Sequence, residues 1–222
     1  MKMYRILFAV VPLLLMAACI GGNSEISVFV SAEFEKRPIT PTGLSSGEYR
    51  PARYCWVEGF DPQTGHIYFS GYLGPRGDGI ANVPQGANLQ VRLFAAYEVP
   101  GNNSGNFQMR GSVKNGSILD MYNNISAFND IPDWFVLSEQ FYTGTQDLTI
   151  NIRALHSTWN REAGAFNIAD QAVEFASKIA DLEPGLDLPN LHSFWSPNNQ
   201  YTNYPRVAYD RQNRILAQQS TD

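Results

Sequence analysis

Polar and apolar side chains alternate along several short stretches in the first two thirds of the chain. The alternation is clearest at residues 26–30 and 89–95, and it returns at residues 147–153, where Leu148, Ile150 and Ile152 fall on one face. Strict alternation indicates a β-strand with one buried face. Gly, Pro and Asn separate these stretches, as is typical of turns. We therefore expect a mainly β domain over residues 26–153, built as an antiparallel β-sandwich.

The period changes in the last third of the chain. From residue 167 to residue 183, apolar side chains recur at helical spacing and form one stripe: Ile168, Ala172, Phe175, Ala176, Ile179 and Leu182. Asn167 can cap the start of this helix, and Pro184 with Gly185 can end it. One amphipathic helix cannot bury its stripe alone, so it needs either the β domain or residues outside this chain. Residues 154–222 are expected to form a small α+β segment.

The chain opens with a basic and apolar leader. Its apolar run over residues 6–16 is too short to span a bilayer, which needs about 20 residues. Two alanines then precede Cys19 in a pattern that resembles the signal of bacterial lipoproteins, although Met16 stands where that pattern prefers Leu. The resemblance implies removal of residues 1–18, lipid attachment to the Cys19 sulfur, and a short tether over residues 19–25.

The residue after the cysteine bears on the destination. Ile20 stands where an Asp would indicate retention at the inner membrane of a double-membraned bacterium, so the outer membrane of the cell envelope is expected. An ordinary secretory signal with an unmodified Cys19 is the alternative. Both interpretations take the protein out of the cytoplasm.

The net charge of the chain argues against some binding partners, and its cysteine content argues against a disulfide. The formal charge is −5, and loss of Lys2 and Arg5 with the leader leaves 14 basic and 21 acidic side chains, a charge of −7. Such a balance argues against nucleic acid as a partner, because phosphates would be repelled. With Cys19 lipidated, Cys55 has no partner for a disulfide, and its apolar neighbours predict a buried thiol.

The order of several motifs is similar to that of a known family. Residues 34–39, 43–44, 50–53, 57–58, 61–65, 91–95 and 99–101 carry the first part of the resemblance. They resemble the N-terminal carboxypeptidase-regulatory-like β domain, which has a prealbumin-like or immunoglobulin-like sandwich fold, of secreted bacterial zinc metallopeptidases. The second half of the chain resembles the start of the peptidase domain of the same proteins, at residues 161–170, 188–191, 194–199, 209–210 and 214–216.

The catalytic motif of that family lies beyond the last matching stretch. It is an H-E-x-x-H helix that supplies two zinc ligands and a general base. The three histidines of this chain, His66, His156 and His192, are not followed by Glu and do not pair at the i, i+4 spacing. We therefore expect no catalytic residue, no metal site and no cofactor in this chain. The resemblance implies a non-catalytic N-terminal portion, with a C-terminal peptidase domain and the membrane as its partners.

Other candidate chemistry is weaker. The carboxylate pairs Glu33 with Glu35 and Asp130 with Asp133 could serve a glycosidase, but solvated turn carboxylates explain them better. Neither His156 nor His192 has an evident set of further ligands, so a surface or capped imidazole is the simpler interpretation.

Aromatic residues support a different function. The chain holds four Trp and 11 Tyr, which could form a stacking platform, although core filling is the default. Residues 123–134 are predicted to form a long loop, and Phe128, Trp134 and Phe135 are the expected ligand contacts if it binds anything. Burial against a missing domain is the alternative for these side chains. The second candidate function is accordingly a free-standing surface lipoprotein that binds glycan or protein.

Overall fold

The computed structural model describes residues 24–37, 39–40, 43–44, 47–101, 107–116, 131–156, 162–183, 186, 188–196, 207–209 and 215–218. Residues 1–18, Cys19 and Phe128 lie outside this part, as do residues 19–23 of the expected tether. The expectation of a mainly β protein with one helix is confirmed, since the described residues form two mixed sheets of four and six strands and one helix of 21 residues.

The elements follow each other along the chain as described here. The strands are β1 Glu25–Lys36, β2 Ile39–Thr40, β3 Gly43–Leu44, β4 Glu48–Pro51, β5 Cys55–Phe60, β6 Ile67–Tyr72, β7 Asp78–Pro84, β8 Asn88–Pro100, β9 Phe107–Asn115, β10 Phe135–Tyr142 and β11 Leu148–Ala154. The helix α1 covers Glu162–Leu182, and it is followed by β12 Leu191–Trp195, β13 Val207–Tyr209 and β14 Ile215–Gln218. Two separate two-stranded pairs are formed by β2 with β3 and by β13 with β14.

Strand β1 is the centre of the four-stranded sheet. It pairs in parallel with β11 on one edge and antiparallel with β7 and then β4 along its length. Strand β8 is the centre of the six-stranded sheet and pairs antiparallel with β5, β9 and β10. Strand β6 lies outside β5, and β12 lies outside β9 in a parallel pairing.

The expectation of an entirely antiparallel arrangement was therefore wrong. The pair β1–β11, which lies within the expected sandwich apart from the ends of the strands, is parallel, and β12 from the expected α+β segment also joins β9 in parallel. Each joins segments far apart in sequence, which reach the sheet through long connections rather than tight hairpins, and such connections permit a parallel entry. Alternation along a strand indicates which side chains are buried but not the direction of the neighbouring strand.

The two central strands supply most of the core. Inward positions alternate along β1 and β8, and their side chains are at most 4 % exposed: Ile26, Val28, Val30, Ala32 and Phe34 in β1, and Leu89, Val91, Leu93, Ala95, Tyr97 and Val99 in β8. These residues belong to one hydrophobic cluster together with inward residues of β11. Burial of each Val, Leu or Phe contributes about 1.5–3 kcal/mol, so this cluster is the main source of stability.

The helix differs from its prediction at its start and in its buried face. It begins at Glu162 instead of residue 167, and Asn167 lies inside it rather than capping it. Three alanines and one phenylalanine that the predicted stripe did not include extend the buried face toward the N-terminus: Ala163, Ala165, Ala169 and Phe166. Phe175, a member of the predicted stripe, is 54 % exposed. Alanines allow the helix to approach β1, β8 and β9 closely, so packing overrides the more hydrophobic stripe.

Glycine is required where β12 meets β9. A Cβ atom at Gly111 would overlap the carbonyl oxygen of Leu191 and the ring of Tyr97. The Tyr97 hydroxyl donates a hydrogen bond of 3.3 Å to that same carbonyl oxygen, and burial raises the pKa of this phenol well above its usual range. The absence of a side chain at Gly111 therefore allows β8, β9 and β12 to lie close together at this point.

We predict that Gly111→Ala lowers the free energy of unfolding by about 1–3 kcal/mol, because the added methyl group has no space and must displace β12 or Tyr97. Urea unfolding of the purified protein measures the change. Gly71→Ala is the matched control, since its Cβ would meet nothing within 4 Å, and it should change stability by less than about 0.5 kcal/mol. Equal effects of the two variants would contradict this packing.

Candidate functional site

The predicted contact residues Trp134 and Phe135 are neighbours in the chain but point in different directions. The backbone N–H of Trp134 donates to the Val113 carbonyl, and its own carbonyl accepts from Ala95, so this residue lies between β8 and β9. Its indole Nε1 donates to the carbonyl of Trp195 at 2.8 Å, and the two indole rings meet edge to face at 5.0 Å. Phe135 is 40 % exposed. Ligand contact by either residue stays a prediction.

Phe135 belongs to a group of rings around one cation. Outward residues of β5, β8 and β10 bring Phe60, Phe94 and Phe135 around Arg92, whose guanidinium carbon lies 4.6, 5.6 and 5.3 Å from their ring centroids. Phe94 and Phe135 are cross-strand partners, with centroids 5.9 Å apart and planes tilted by 52°. We name these four residues the Arg92 surface. It lies on the outer face of the six-stranded sheet.

Arg92 has an unusual polar environment. Its Nε atom is buried and has no hydrogen-bond acceptor, and within the described part of the chain no carboxylate lies within ion-pair distance of the guanidinium. Glu58 is its cross-strand partner on β5, but the Glu58 carboxylate accepts a hydrogen bond of 3.0 Å from the indole of Trp56. The rings compensate for lost hydration by cation–π attraction of about 0.5–2 kcal/mol.

A second polar contact joins the helix to the β4–β5 turn. Arg53 donates two hydrogen bonds to Asp170 Oδ1, of 2.9 Å from Nε and 2.5 Å from Nη2. The Asp170 side chain is 7 % exposed and that of Arg53 28 % exposed. The adjacent Tyr54 has a φ of 57°, a left-handed conformation that is costly for a residue with a side chain. The ion pair holds this strained turn against the helix.

A pocket of about 290 Å³ opens beside this ion pair. Its lining combines three basic and two acidic side chains with one proline: Lys36, Arg50, Arg53, Asp170, Glu174 and Pro51. Arg50 is paired with Glu48 at 2.8 Å, and Lys178 lowers the pKa of the Glu174 carboxyl through a hydrogen bond. Arg50, Arg53 and Glu174 each form an ion pair with a neighbouring side chain, so most of the charged groups in this pocket already have a partner. The pocket therefore resembles a structural contact between the helix and the β4–β5 turn.

Buried polar groups also lie where β9 meets β12. Ser112 Oγ and His192 Nδ1 are 3.0 Å apart, and burial lowers the pKa of the His192 imidazole, with Lys114 contributing in the same direction. Lys114 pairs with Asp133 at 2.9 Å. Ser112 is only 4 % exposed, so its hydroxyl is a cross-strand hydrogen-bonding partner rather than an accessible nucleophile.

Within the described residues, Glu33, Glu35 and Asp133 each contact a basic side chain. Glu33 pairs with Arg153 at 3.1 Å. The pKa of the Glu35 carboxyl is lowered mainly by the backbone N–H of His156, and Arg37 also lowers it. Asp130 lies outside the described residues. The lowered pKa of Glu35 favours its anion, which suits ion pairing and does not suit a general acid.

The remaining candidates are structural. Cys55 is buried, and desolvation raises the pKa of its thiol to about 12, so it is not a reactive nucleophile at neutral pH. Among the described residues, no three His, Cys, Asp or Glu side chains are grouped so that they could hold a metal ion. In the same part of the chain, no helix combines the length and apolar character needed to cross a bilayer.

Comparison with models of known protein families gives no match to this chain, and comparison with curated proteins gives none either. The functional argument therefore depends on the residues themselves.

Neither the Arg92 surface nor the Arg53–Asp170 pair was predicted from the sequence. The Arg92 surface had a usable signal, because Arg92 and Phe94 occupy the outward positions of the alternating stretch at residues 89–95. The partners Phe60 and Phe135 come from other strands, whose register only the folded sheet provides. The Arg53–Asp170 pair had no signal, because 117 residues separate its members.

We predict an energetic coupling of about 1–3 kcal/mol between Arg53 and Asp170 in a double-mutant cycle with Arg53→Ala and Asp170→Ala, because each removal leaves a largely buried partner unpaired. Urea unfolding of the four proteins gives this value. The exposed pair Arg76–Asp78 is the matched control, and its coupling should stay below about 1 kcal/mol. Couplings of equal size would show that burial adds nothing to the Arg53–Asp170 pair.

Proposed function

We propose that this chain is a lipid-anchored, non-catalytic protein of the bacterial cell envelope and forms the N-terminal portion of a surface zinc metallopeptidase. One contact carries this proposal. Arg53 belongs to the first group of motifs that resemble that family, Asp170 belongs to the second group, and the two side chains form a largely buried ion pair. The two halves of the resemblance thus meet directly in the folded chain.

Packing around this contact supports the same proposal. Ala165, Phe166 and Ala169 from the second motif group belong to the hydrophobic cluster that contains the inward residues of β1 and β8. A helix that shares its core with two sheets is held in a fixed orientation to them. The β-rich part would therefore orient and support the start of the peptidase domain, while the catalytic groups would lie outside this chain.

We propose a finer description of the fold on the same basis. The two sheets would be the layers of a prealbumin-like sandwich, to which α1 and β12 are added by the peptidase segment. The support is the shared cluster of inward residues from β1 and β8. A sandwich of this type would have to include the parallel pairing of β1 with β11.

The coding sequence that follows the codon for Asp222 tests the peptidase proposal. An H-E-x-x-H motif within the next few hundred bases, in any of the three forward frames, is the expected result. A stop codon followed by unrelated sequence would overturn it. The second candidate, a free-standing surface lipoprotein that binds glycan or protein, would then replace it.

The anchor proposal rests on the lipoprotein signal and on Cys19, which lies outside the described residues. We predict that the protein incorporates radiolabelled palmitate in a bacterial host and fractionates with the outer membrane. Cys19→Ala should abolish the label and release the protein from that fraction, because no sulfur remains for acylation. Cys55→Ala is the matched control and should keep the label, since Cys55 is buried. Labelling of the Cys19→Ala protein would contradict the proposal.

One observation favours the second candidate function. Phe135 is exposed beside Phe94 and Arg92, and further apolar side chains lie exposed on strands of the same sheet: Ile67, Tyr72 and Leu137. Exposed aromatic groups next to an arginine are characteristic of interaction surfaces. If the chain acts alone, this sheet face rather than a loop is its best binding surface.

A further inference from the structure

We propose that the Arg92 surface docks a protein partner that places a carboxylate, flanked by apolar side chains, on the Arg92 guanidinium. The inference does not depend on the peptidase proposal. It supplies the partner that the second candidate function requires, and it rests on that function only for its biological setting.

Arg92 is a cation without an ion-pair partner in the described part of the chain. It carries five donor N–H groups, and no described residue offers an acceptor to its buried Nε. Glu58, the cross-strand neighbour of Arg92, accepts a hydrogen bond from the Trp56 indole at Oε1 and forms no ion pair with the guanidinium. A guanidinium that is partly desolvated by three rings binds an added carboxylate more strongly than an exposed arginine does, because water competes less. The charge of the site thus specifies an anionic group.

The arrangement of the rings favours a protein over a glycan. A flat platform of coplanar rings would suit the face of a sugar. Here Phe94 and Phe135 are tilted by 52°, and Trp56 meets Tyr72 edge to face at 68° with centroids 4.7 Å apart. Rings in this arrangement present edges as well as faces, which suits contact with apolar and aromatic side chains of a protein.

Apolar side chains extend the Arg92 surface on the same sheet face. Ile67 is 52 % exposed and pairs across the strands with Phe60, and Leu137 is 48 % exposed and pairs with Arg92. Apolar residues around a central arginine exclude water from the contact when a partner covers them. They also require that the partner carry apolar groups beside its carboxylate, because a purely acidic surface would leave this area uncovered.

Two peptides test the proposal on the full chain. The first is acetyl-leucyl-glutamyl-phenylalanine amide, and the second has glutamine in place of glutamate, so the peptides differ only in charge. Binding is followed by NMR, through the Arg92 side-chain N–H signal. We expect the glutamate peptide to bind about tenfold more tightly than the glutamine peptide, as for a charge-assisted contact.

Variants then assign the effect to Arg92. Arg92→Gln should remove the preference for glutamate, and Arg92→Lys should retain part of it because the charge stays while the planar fork is lost. Arg76→Gln is the matched control, since Arg76 is 85 % exposed in a turn away from the rings, and it should leave the preference unchanged. Urea unfolding verifies that each variant is folded, as expected for outward positions.

Three results would overturn the proposal. They are equal affinity for the two peptides, a preference that survives Arg92→Gln, or no change in the Arg92 signal at about 10 mM peptide, well above the weak affinity expected of so small a ligand. A neutral oligosaccharide that shifts the ring signals while both peptides fail would assign the surface to glycans. None of these results affects palmitate labelling or the downstream coding sequence, so failure here is distinguishable from failure of the proposed function.

Discussion

The inward alternation of β1 and β8 is the constraint on which the rest of this structure depends. Each is the central strand of its sheet, and each buries every second side chain in the same hydrophobic cluster. Because the side-chain period of a strand is two, a shift of one residue would place Arg92 in the core and Leu93 in solvent. The cost of burying that cation fixes the register, and the same register brings Phe60, Phe94 and Phe135 around Arg92 on the outer face.

The helix is added to this core through small residues and one ion pair. Its buried face is rich in alanine, which allows the backbone to approach the sheets, and Gly164 leaves room for the ring of Trp195. The Arg53–Asp170 pair then fixes the helix relative to the β4–β5 turn. Small residues give close packing but little direction, so the directional hydrogen bonds of the ion pair define where the helix lies.

The two arginines have opposite roles because their surroundings differ. Arg53 has a carboxylate partner within the chain and stabilises a junction, whereas Arg92 is surrounded by rings and has no carboxylate partner among the described residues. An arginine that is already paired with a carboxylate of the same chain binds an added anion weakly. An arginine without such a partner can bind the carboxylate of a ligand. With the proposed lipid anchor, such an arginine on a sheet face would suit a protein that holds a partner at a membrane surface.

The sequence by itself determined the mainly β character, the inward side chains of β1, β8 and β11, the existence of one helix, and the burial of Cys55, because alternation, helical periodicity and hydrophobicity are local properties. It also carries the resemblances, to a lipoprotein signal and to a peptidase family, on which the proposed function rests. Only the tertiary structure decided the parallel pairings, the early start of the helix at Glu162, the Arg53–Asp170 pair and the grouping of rings around Arg92. Each of these depends on contacts between distant segments, and the energy of such contacts is absent from any single stretch of sequence.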